Sequence, residues 1–372
     1  MKLTVDKKDL LRGLARTHSV ADRKSSMPIL SNILIAADDN DTLRFASTDL
    51  YVSVKCSCPG EIRERGSVAI SAKTLFDIVK NLPDHDVKLE LDQNLSLNLS
   101  CGKIKYRIPG MAGEDFPGLP SSGEEVFADI EARLLGELVQ MTQHAMSADL
   151  NRPHMAGTLF EGQGNIVRMV TTDGHRLSKA EGSTSSDGLE MSMLIPSKGI
   201  SELKRLIEDV QAASDKEAAD CIGMTHTAGH AFFQGADMQL SVKLCEDSFP
   251  PYAKVIPQSH QRRAVAARHS LADSIKRISL VASDKGGGLR LVLEEGRLQI
   301  QSENPDVGAG SEELDVDYPG DGLSIGFNAR YLMDALNSLV DDEVALEFGG
   351  ELEPLVIRPV GETQYVGVVM PM

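Results

Sequence analysis

With 372 residues the chain has room for three domains of about 120 residues, each large enough for its own core. Its formal charge of −17 excludes a protein that coats nucleic acid over its whole surface, because phosphate binding rests on Lys and Arg. Aromatic residues make up only 4% and Trp is absent, so the cores must be aliphatic. Five cysteines, an odd number with Cys56-x-Cys58 as the closest pair, exclude a disulfide scaffold and a zinc knuckle and predict reduced thiols. Residues 1–5 carry no signal-peptide core, and no run approaches the ~18 apolar residues of a membrane span, so a soluble, cytoplasmic protein is expected.

Along the chain, Leu10, Leu11 and Leu14 mark an apolar stripe that predicts an opening amphipathic helix, with Lys7, Lys8, Arg12 and Arg16 off the stripe. Alternation predicts strands at 29–36 and 42–46, then a helix at 71–82 and strands at 87–91, 95–100 and 103–108. Prolines 109, 117 and 120 make 108–120 an extended linker outside any sheet. A second round follows: a helix at about 130–146, strands at 166–171 and 191–195, a helix at 196–206 and a strand at 238–244. A second linker, 247–257, repeats the order acidic residue, Phe, Pro, Pro. The third round has a helix carrying Leu271, Ile275 and Ile278, strands at 289–293 and 298–301, a helix at 328–339, and strands at 344–348 and 355–359. Three copies of one unit predict an α+β protein with domains at 1–122, 123–257 and 258–372, each with antiparallel strands and two helices on one sheet face.

Charge is segregated. Residues 1–24 hold seven cations against three anions, while 303–321 hold seven carboxylates and no cation. An acidic exterior with local basic faces repels nucleic acid generally and admits it at one place.

The most catalytic-looking stretch is Thr171-Thr172-Asp173-Gly174-His175-Arg176. It recurs as Ser47-Thr48-Asp49-Leu50-Tyr51 and as Ser302-Glu303-Asn304-Pro305, which makes Asp173 a turn residue that accepts from backbone amides. No phosphate loop, dinucleotide fingerprint, nucleophile elbow or zincin motif is present, and the nine histidines fall at no ligand spacing. No catalysis, metal or cofactor is expected. A triplicated unit without triplicated chemistry reads as architecture, an arc or a ring.

Four motifs occur in order and at matching spacing: Thr172-Asp173-Gly174-His175-Arg176-Leu177, Asp247-Ser248-Phe249-Pro250-Pro251-Tyr252, Gly326-Phe327-Asn328-Ala329-Arg330-Tyr331-Leu332 and Val369-Met370-Pro371-Met372. Together they resemble the bacterial DNA sliding clamps, the β subunits of DNA polymerase III, over the whole chain. The resemblance implies three clamp domains, with two helices each on the inner face, closing as a head-to-tail dimeric ring around duplex DNA without sequence specificity. Such a ring tethers the replicative polymerase, the clamp loader and other DNA-processing proteins through short linear motifs and catalyses nothing.

By that resemblance Arg12, Arg16, Arg23, Lys24, Lys73, Lys80, Lys198, Lys204, Arg205, Lys276 and Arg277 face DNA. The partner-peptide groove comprises Met155, Thr172, Gly174, His175, Arg176, Leu177, Pro250, Lys254, Val255, Asn328, Tyr331, Leu352, Pro354, Val368, Val369, Met370, Pro371 and Met372. Adaptable Met and Val side chains suit a groove that takes several peptides. Tyr106, Ile108, Leu280 and Val281 form the apolar centre of the subunit interface.

The sequence departs from the family pattern in three places. Ser147-Ala148-Asp149-Leu150 replaces DNA-contacting groups, with Arg152 and His154 left as candidates nearby. Lys254 stands where many members have Arg, and the chain ends two residues earlier than many, shortening one rim of the groove. Two other readings compete: a triplicated peptide adaptor that ignores DNA, and a hydrolase built on Asp173, His175 and Arg176.

Overall fold

The computed structural model describes residues 1–38, 40–149, 151–213, 220–257, 262–282 and 287–372. The first repeat runs β1 (Lys2–Val5), α1 (Lys7–Thr17), β2 (Asn32–Ala37), β3 (Thr42–Thr48), β4 (Val52–Pro59), β5 (Glu61–Glu64), β6 (Gly66–Ser71), α2 (Ala72–Lys80), β7 (Val87–Leu91), β8 (Ser96–Cys101) and β9 (Ile104–Ala112). The second runs β10 (Ala128–Glu131), α3 (Ala132–Thr142), β11 (Gly157–Gly164), β12 (Ile166–Thr172), β13 (Arg176–Ser183), β14 (Leu189–Pro196), α4 (Ser197–Ala213), β15 (Cys221–His226), β16 (His230–Gly235) and β17 (Met238–Lys243). The third runs β18 (Arg262–Ala267), α5 (Arg268–Ser279), β19 (Gly288–Glu294), β20 (Arg297–Asn304), β21 (Gly308–Asp315), β22 (Leu323–Asn328), α6 (Ala329–Ser338), β23 (Glu343–Phe348), β24 (Leu355–Pro359) and β25 (Tyr365–Val369). The order strand, helix, four strands, helix, three strands thus occurs three times among the described residues, with β5 added in the first.

Local chemistry sets the helix starts. The Asp6 carboxylate accepts from the backbone N–H of Lys8 (2.7 Å) and of Asp9 (3.2 Å) ahead of α1. Asn328 does the same for Arg330 N–H (2.9 Å) ahead of α6. On α1, Leu10, Gly13, Leu14 and Thr17 are buried, which leaves the charged face outward.

The chain divides into two compact units, residues 1–132 with 201–244, and residues 133–200 with 245–372. The first holds one antiparallel sheet ordered β10-β15-β16-β17-β4-β3-β2-β6-β9-β8-β7-β1-β5. The second holds two, β14-β11-β12-β13-β25-β24-β23-β18 and β21-β20-β19-β22. The sheets cross the repeat boundaries, which the strand pattern did not foretell. The last strand of the second repeat pairs with the first repeat, Val54 opposite Leu240 and Cys56 opposite Met238. In the same way the last strand of the third pairs with the second, Arg176 opposite Val369 and Leu177 opposite Val368.

Two local expectations also change. The strand predicted at 29–36 begins as a 3-10 turn, Pro28–Ser31, because Pro28 at its first position fixes φ for a helical turn; β2 starts after it. Pro109 was placed in a linker but lies inside β9. There the strand leaves β8, with Ser96 opposite Pro109, and joins β6, with Gly110 opposite Ile70. Gly110 is required at this corner, since a Cβ would sit 2.7 Å from Ile70 Cδ1 and Val68 Cγ2. Residues 113–120 and all of 247–257 are outside the sheets, and each stretch is pinned by its Phe. Phe116 packs with Ile29, Leu30, Ala46 and Ala69, and Phe249 packs against Val170, Leu177, Val356, Val366 and Val368.

A close approach of α1 to β3 generates a stability expectation. A Cβ on Gly13 would lie 2.5 Å from the buried Phe45 ring. Gly13→Ala gains about 1 kcal/mol of helix propensity and loses about 1–3 kcal/mol to overpacking. The second effect is expected to win, lowering the urea midpoint of the variant.

Candidate functional site

The Asp173 turn joins β12 to β13. The Thr172 hydroxyl donates to the Arg176 carbonyl (2.7 Å) and accepts from Gly174 N–H (3.1 Å). Asp173 Oδ1 accepts from the N–H groups of His175 (2.9 Å) and Arg176 (3.0 Å), and Gly174 takes φ +90, where glycine is unstrained. The first repeat builds the same turn: Thr48 donates to Val52 (3.0 Å) and accepts from Leu50 (2.9 Å), while Asp49 accepts from Tyr51 (2.9 Å) and Val52 (2.6 Å). In the third, Asn304 Oδ1 accepts from Asp306 N–H (3.0 Å). Asp173 is thus a structural acceptor, and the hydrolase reading loses its base.

Arg176 proves to be a strut. Its side chain is 7% exposed, with Nε donating to Asp173 Oδ2 (3.0 Å) and Nη1 to Asp334 Oδ2 on α6 (2.5 Å). Its guanidinium lies 4.5 Å over the Tyr331 ring, which His175 also faces at 6.4 Å. Arg176 was expected to line the groove; its side chain is buried, and through Asp173 and Asp334 it ties the turn to α6.

Around this strut the structure brings together much of the predicted groove. Val368 and Val369 pair with Leu177 and Arg176, Met370 N–H donates to the His175 carbonyl (2.9 Å), and Met372 N–H donates to the Gly326 carbonyl (2.9 Å). Gly174, His175 and Met372 are exposed; Asn328, Tyr331, Met370 and Pro371 are half-buried. Pro250, Lys254 and Val255 belong to the linker that Phe249, Tyr252 and Ile256 hold on the sheet. Met155, Thr172, Leu177, Val368 and Val369 are buried and form the floor. Leu352 projects almost fully exposed, with Pro354, from the segment before β24.

Of the predicted DNA-facing cations, Arg12, Arg23, Lys24, Lys73, Lys80, Lys198, Lys204, Arg205, Lys276 and Arg277 are exposed. Several carry a carboxylate mate on or near their own helix, Asp9 for Arg12, Glu202 for Arg205 and Glu312 for Arg277. Arg16 is a correction: its side chain is 8% exposed and its Nε donates to Asp209 on α4 (2.8 Å), so it braces two helices. Ile108 is another, 4% exposed in the core of the first unit, whereas Tyr106 and Leu280 are exposed and Val281 is half-buried. Burial pushes the thiols of Cys56 and Cys58 up to about 12, so both are inert, and no group of metal ligands occurs among the described residues.

Three family descriptions cover the chain: the N-terminal domain of the DNA polymerase III beta subunit at residues 1–120, its central domain at 129–251 and its C-terminal domain at 253–372. The beta sliding clamp of Caulobacter vibrioides is 30% identical over 368 residues, 97% of this chain and 96% of that protein. The chain belongs to the beta sliding clamp family.

The clamp of Pseudomonas putida is 29% identical over 375 residues, with both chains fully covered. Among solved structures, the DNA polymerase III subunit beta of Pseudomonas aeruginosa superposes with a TM-score of 0.92 at 28% identity, covering 100% of each chain. A second Pseudomonas aeruginosa clamp, solved bound to griselimycin, gives 0.93 at 28% identity, covering 100% of this chain and 99% of that one. This clamp is accordingly a processivity factor of DNA replication and not an enzyme, built from three clamp domains of antiparallel sheet and helix. No helix among its described residues is long and apolar enough to cross a membrane.

Sequence reasoning missed one member of this site, His144. Burial, then the nearby Arg176, pushes its imidazole down to about 4, and its Nδ1 has no hydrogen-bond partner. Its folded pKa lies below the free value of 6.5, so the unfolded chain protonates first. Stability is full above about pH 6.5 and declines by up to about 3 kcal/mol as pH falls towards about 4. Urea midpoints measured between those limits are expected to fall less steeply for His144→Leu than for the parent. At neutral pH, Arg176→Ala is expected to cost about 3 kcal/mol by stranding its carboxylates, whereas His175→Ala should shift the midpoint by less than about 0.5 kcal/mol.

Proposed function

We propose that two copies of this clamp close head to tail into a ring around duplex DNA, with domains 1–122, 123–257 and 258–372. The observation that carries this reading is the seam that occurs twice inside the chain, β17 on β4 and β25 on β13. By position in the repeat, the third pair is β9 and β21. Among the described residues, β9 along 104–108 has a ladder partner only in β8, and β21 has one only in β20. Each chain therefore carries one open member of the seam in each unit, and a second copy completes both with two-fold symmetry.

Side chains agree with the pairing. The hairpins β8–β9 and β16–β17 both turn over two residues, so Ile104 and Tyr106 correspond to Met238 and Leu240. The latter pair is 3% and 0% exposed in its seam, the former 37% and 44% exposed. Leu280 and Val307, exposed beside β21, supply the facing apolar surface with Val281. Charge is complementary as well, since β9 carries Lys105 and Arg107 and β21 carries Glu312, Glu313 and Asp315. Ile108 drops out of this interface.

A ring that slides must hold phosphates without fixed contacts, which suits long exposed cations on helices and leaves bases unread. We assign that role to Arg12, Arg23, Lys24, Lys73, Lys80, Lys198, Lys204, Arg205, Lys276 and Arg277. The groove from Gly174 and His175 to Met370–Met372 would take short linear motifs of the polymerase, the clamp loader and other DNA-processing proteins, with Tyr331 as an aromatic anchor point. The buried, reduced thiols fit work in the cytoplasm.

Light scattering is expected to give twice 40.2 kDa at micromolar concentration. The double variant Tyr106→Asp, Leu280→Asp should be a folded monomer that no longer stays on closed circular DNA, where the parent is retained until the circle is cut. A parent that is monomeric, or that stays equally on linear DNA, would sink the ring and favour a peptide adaptor.

A further inference from the structure

Beside the two internal seams the outer sheet faces differ in one respect. Next to β13–β25 lies a closed polar cluster. Arg168 donates from Nε to Glu181 (2.7 Å) and from Nη1 to Glu161 (3.3 Å), Lys179 lies 3.0 Å from Glu181, and the Tyr252 hydroxyl donates to Glu161 (2.7 Å). Strand register maps each member onto the first repeat. Thr172 opposite Leu177 corresponds to Thr48 opposite Ser53, so Arg168, Lys179 and Glu181 match Arg44, Lys55 and Ser57. Glu161, opposite Arg168, matches Ala36, opposite Arg44. Aligning Phe249-Pro250 with Phe116-Pro117 sets Leu119 at the place of Tyr252.

The first repeat has therefore kept both cations and lost both carboxylates and the hydroxyl. A cavity of about 990 Å³ stands there, between Phe116 and Leu119 of the linker and Gln234 and Gln239 of β16 and β17; Asp129 and Asp237 also line it, so the cationic part is confined to Arg44 and Lys55. Arg44 retains Asp38 as a mate at 2.8 Å in an exposed position. Lys55 has only the Pro120 carbonyl at 3.4 Å, with no carboxylate partner among the described residues. Burial lowers its pKa with no neighbouring anion to restore it, so an arriving carboxylate gains a partly desolvated ammonium.

We propose that this cavity binds an acidic peptide segment in which carboxylate side chains flank an aromatic one, replacing from outside the Glu161, Glu181 and Tyr252 groups that the second repeat supplies from within. The second repeat is the template for the ligand: carboxylates on flexible stems reach Arg44 and Lys55 while a ring lies along Phe116 and Leu119. The Gln234 and Gln239 amides face the segment from the other wall and suit a peptide backbone. A bare phosphate would use only the cationic side and leave the apolar wall wet. This groove is separate from the one at Gly174–Met372, and its occupancy does not require a ring.

The probe is a fluorescein-labelled peptide Leu-Glu-Tyr-Glu-Leu, titrated by anisotropy against the full chain at moderate salt. Saturable binding is expected, weakened about tenfold by Lys55→Gln, the worth of one charge-assisted hydrogen bond. Exchanging both Glu for Gln in the peptide should weaken it at least as much. The triple variant Ala36→Glu, Ser57→Glu, Leu119→Tyr rebuilds the internal cluster and should abolish binding; circular dichroism melting checks that it folds, and Lys55→Gln decides the matter if it does not. Equal binding by the parent and Lys55→Gln, no saturation at millimolar protein, or displacement by inorganic phosphate as effective as by unlabelled peptide would overturn the proposal.

Discussion

The antiparallel seam between the last strand of one repeat and the fourth strand of the repeat before it is the constraint on which the remaining architecture rests. It buries Leu240 against Val54 and Val368 against Leu177, and it merges strands from successive repeats into single sheets. A one-residue slip would turn these side chains to the opposite face, so the pairing fixes register as well as proximity. It also sets the Asp173 turn next to the end of β25, where Met370 meets the His175 carbonyl.

Much of this was legible in the sequence because it depends on local pattern. Helical spacing located the helices, and the recurrence of Thr-Asp before a strand exposed the turn. The misreadings share a physical cause. Arg16 and Arg176 look like solvent cations because their partners, Asp209 and Asp334, lie 193 and 158 residues away. Ile108 sits at an alternating position of an edge strand, and alternation says which face a residue takes, not whether a neighbouring chain or its own core covers that face. Pro109 was excluded from a sheet by its missing N–H, yet it stands where β9 changes partners and a donor on that side has no role.

Charge segregation also reads differently once the elements are in place. Most of the predicted DNA-facing cations that stay exposed sit on helices, with Arg23 and Lys24 on the segment after α1, while three of the seven carboxylates of the acidic run, Glu312, Glu313 and Asp315, lie on one strand, β21. Several of the exposed cations keep a carboxylate within reach, such as Asp9 beside Arg12. Exposed pairs of this kind contribute little to stability and exchange readily for another anion. That weakness suits a surface that must release each phosphate as easily as it accepts it.

Triplication separates what the scaffold needs from what each copy does. The turn recurs in the first two repeats on Asp49 and Asp173, although the residue at its left-handed position changes from Gly174 to Leu50; the third repeat keeps only the acceptor, Asn304, with Pro305 at that position. Leu50 accepts the strain of φ +74 and projects an exposed apolar side chain, beside an exposed Tyr51, where the second repeat has Gly174 and His175. Backbone geometry has thus been held constant while tip chemistry diverged. The same holds for the sheet faces, where Arg44 and Lys55 take the places of Arg168 and Lys179 without counterparts of Glu161 and Glu181. The two cations are not equivalent: Arg44 is exposed and keeps Asp38, whereas Lys55 is partly buried with no carboxylate partner among the described residues, so Lys55 is the one that an incoming anion would stabilise.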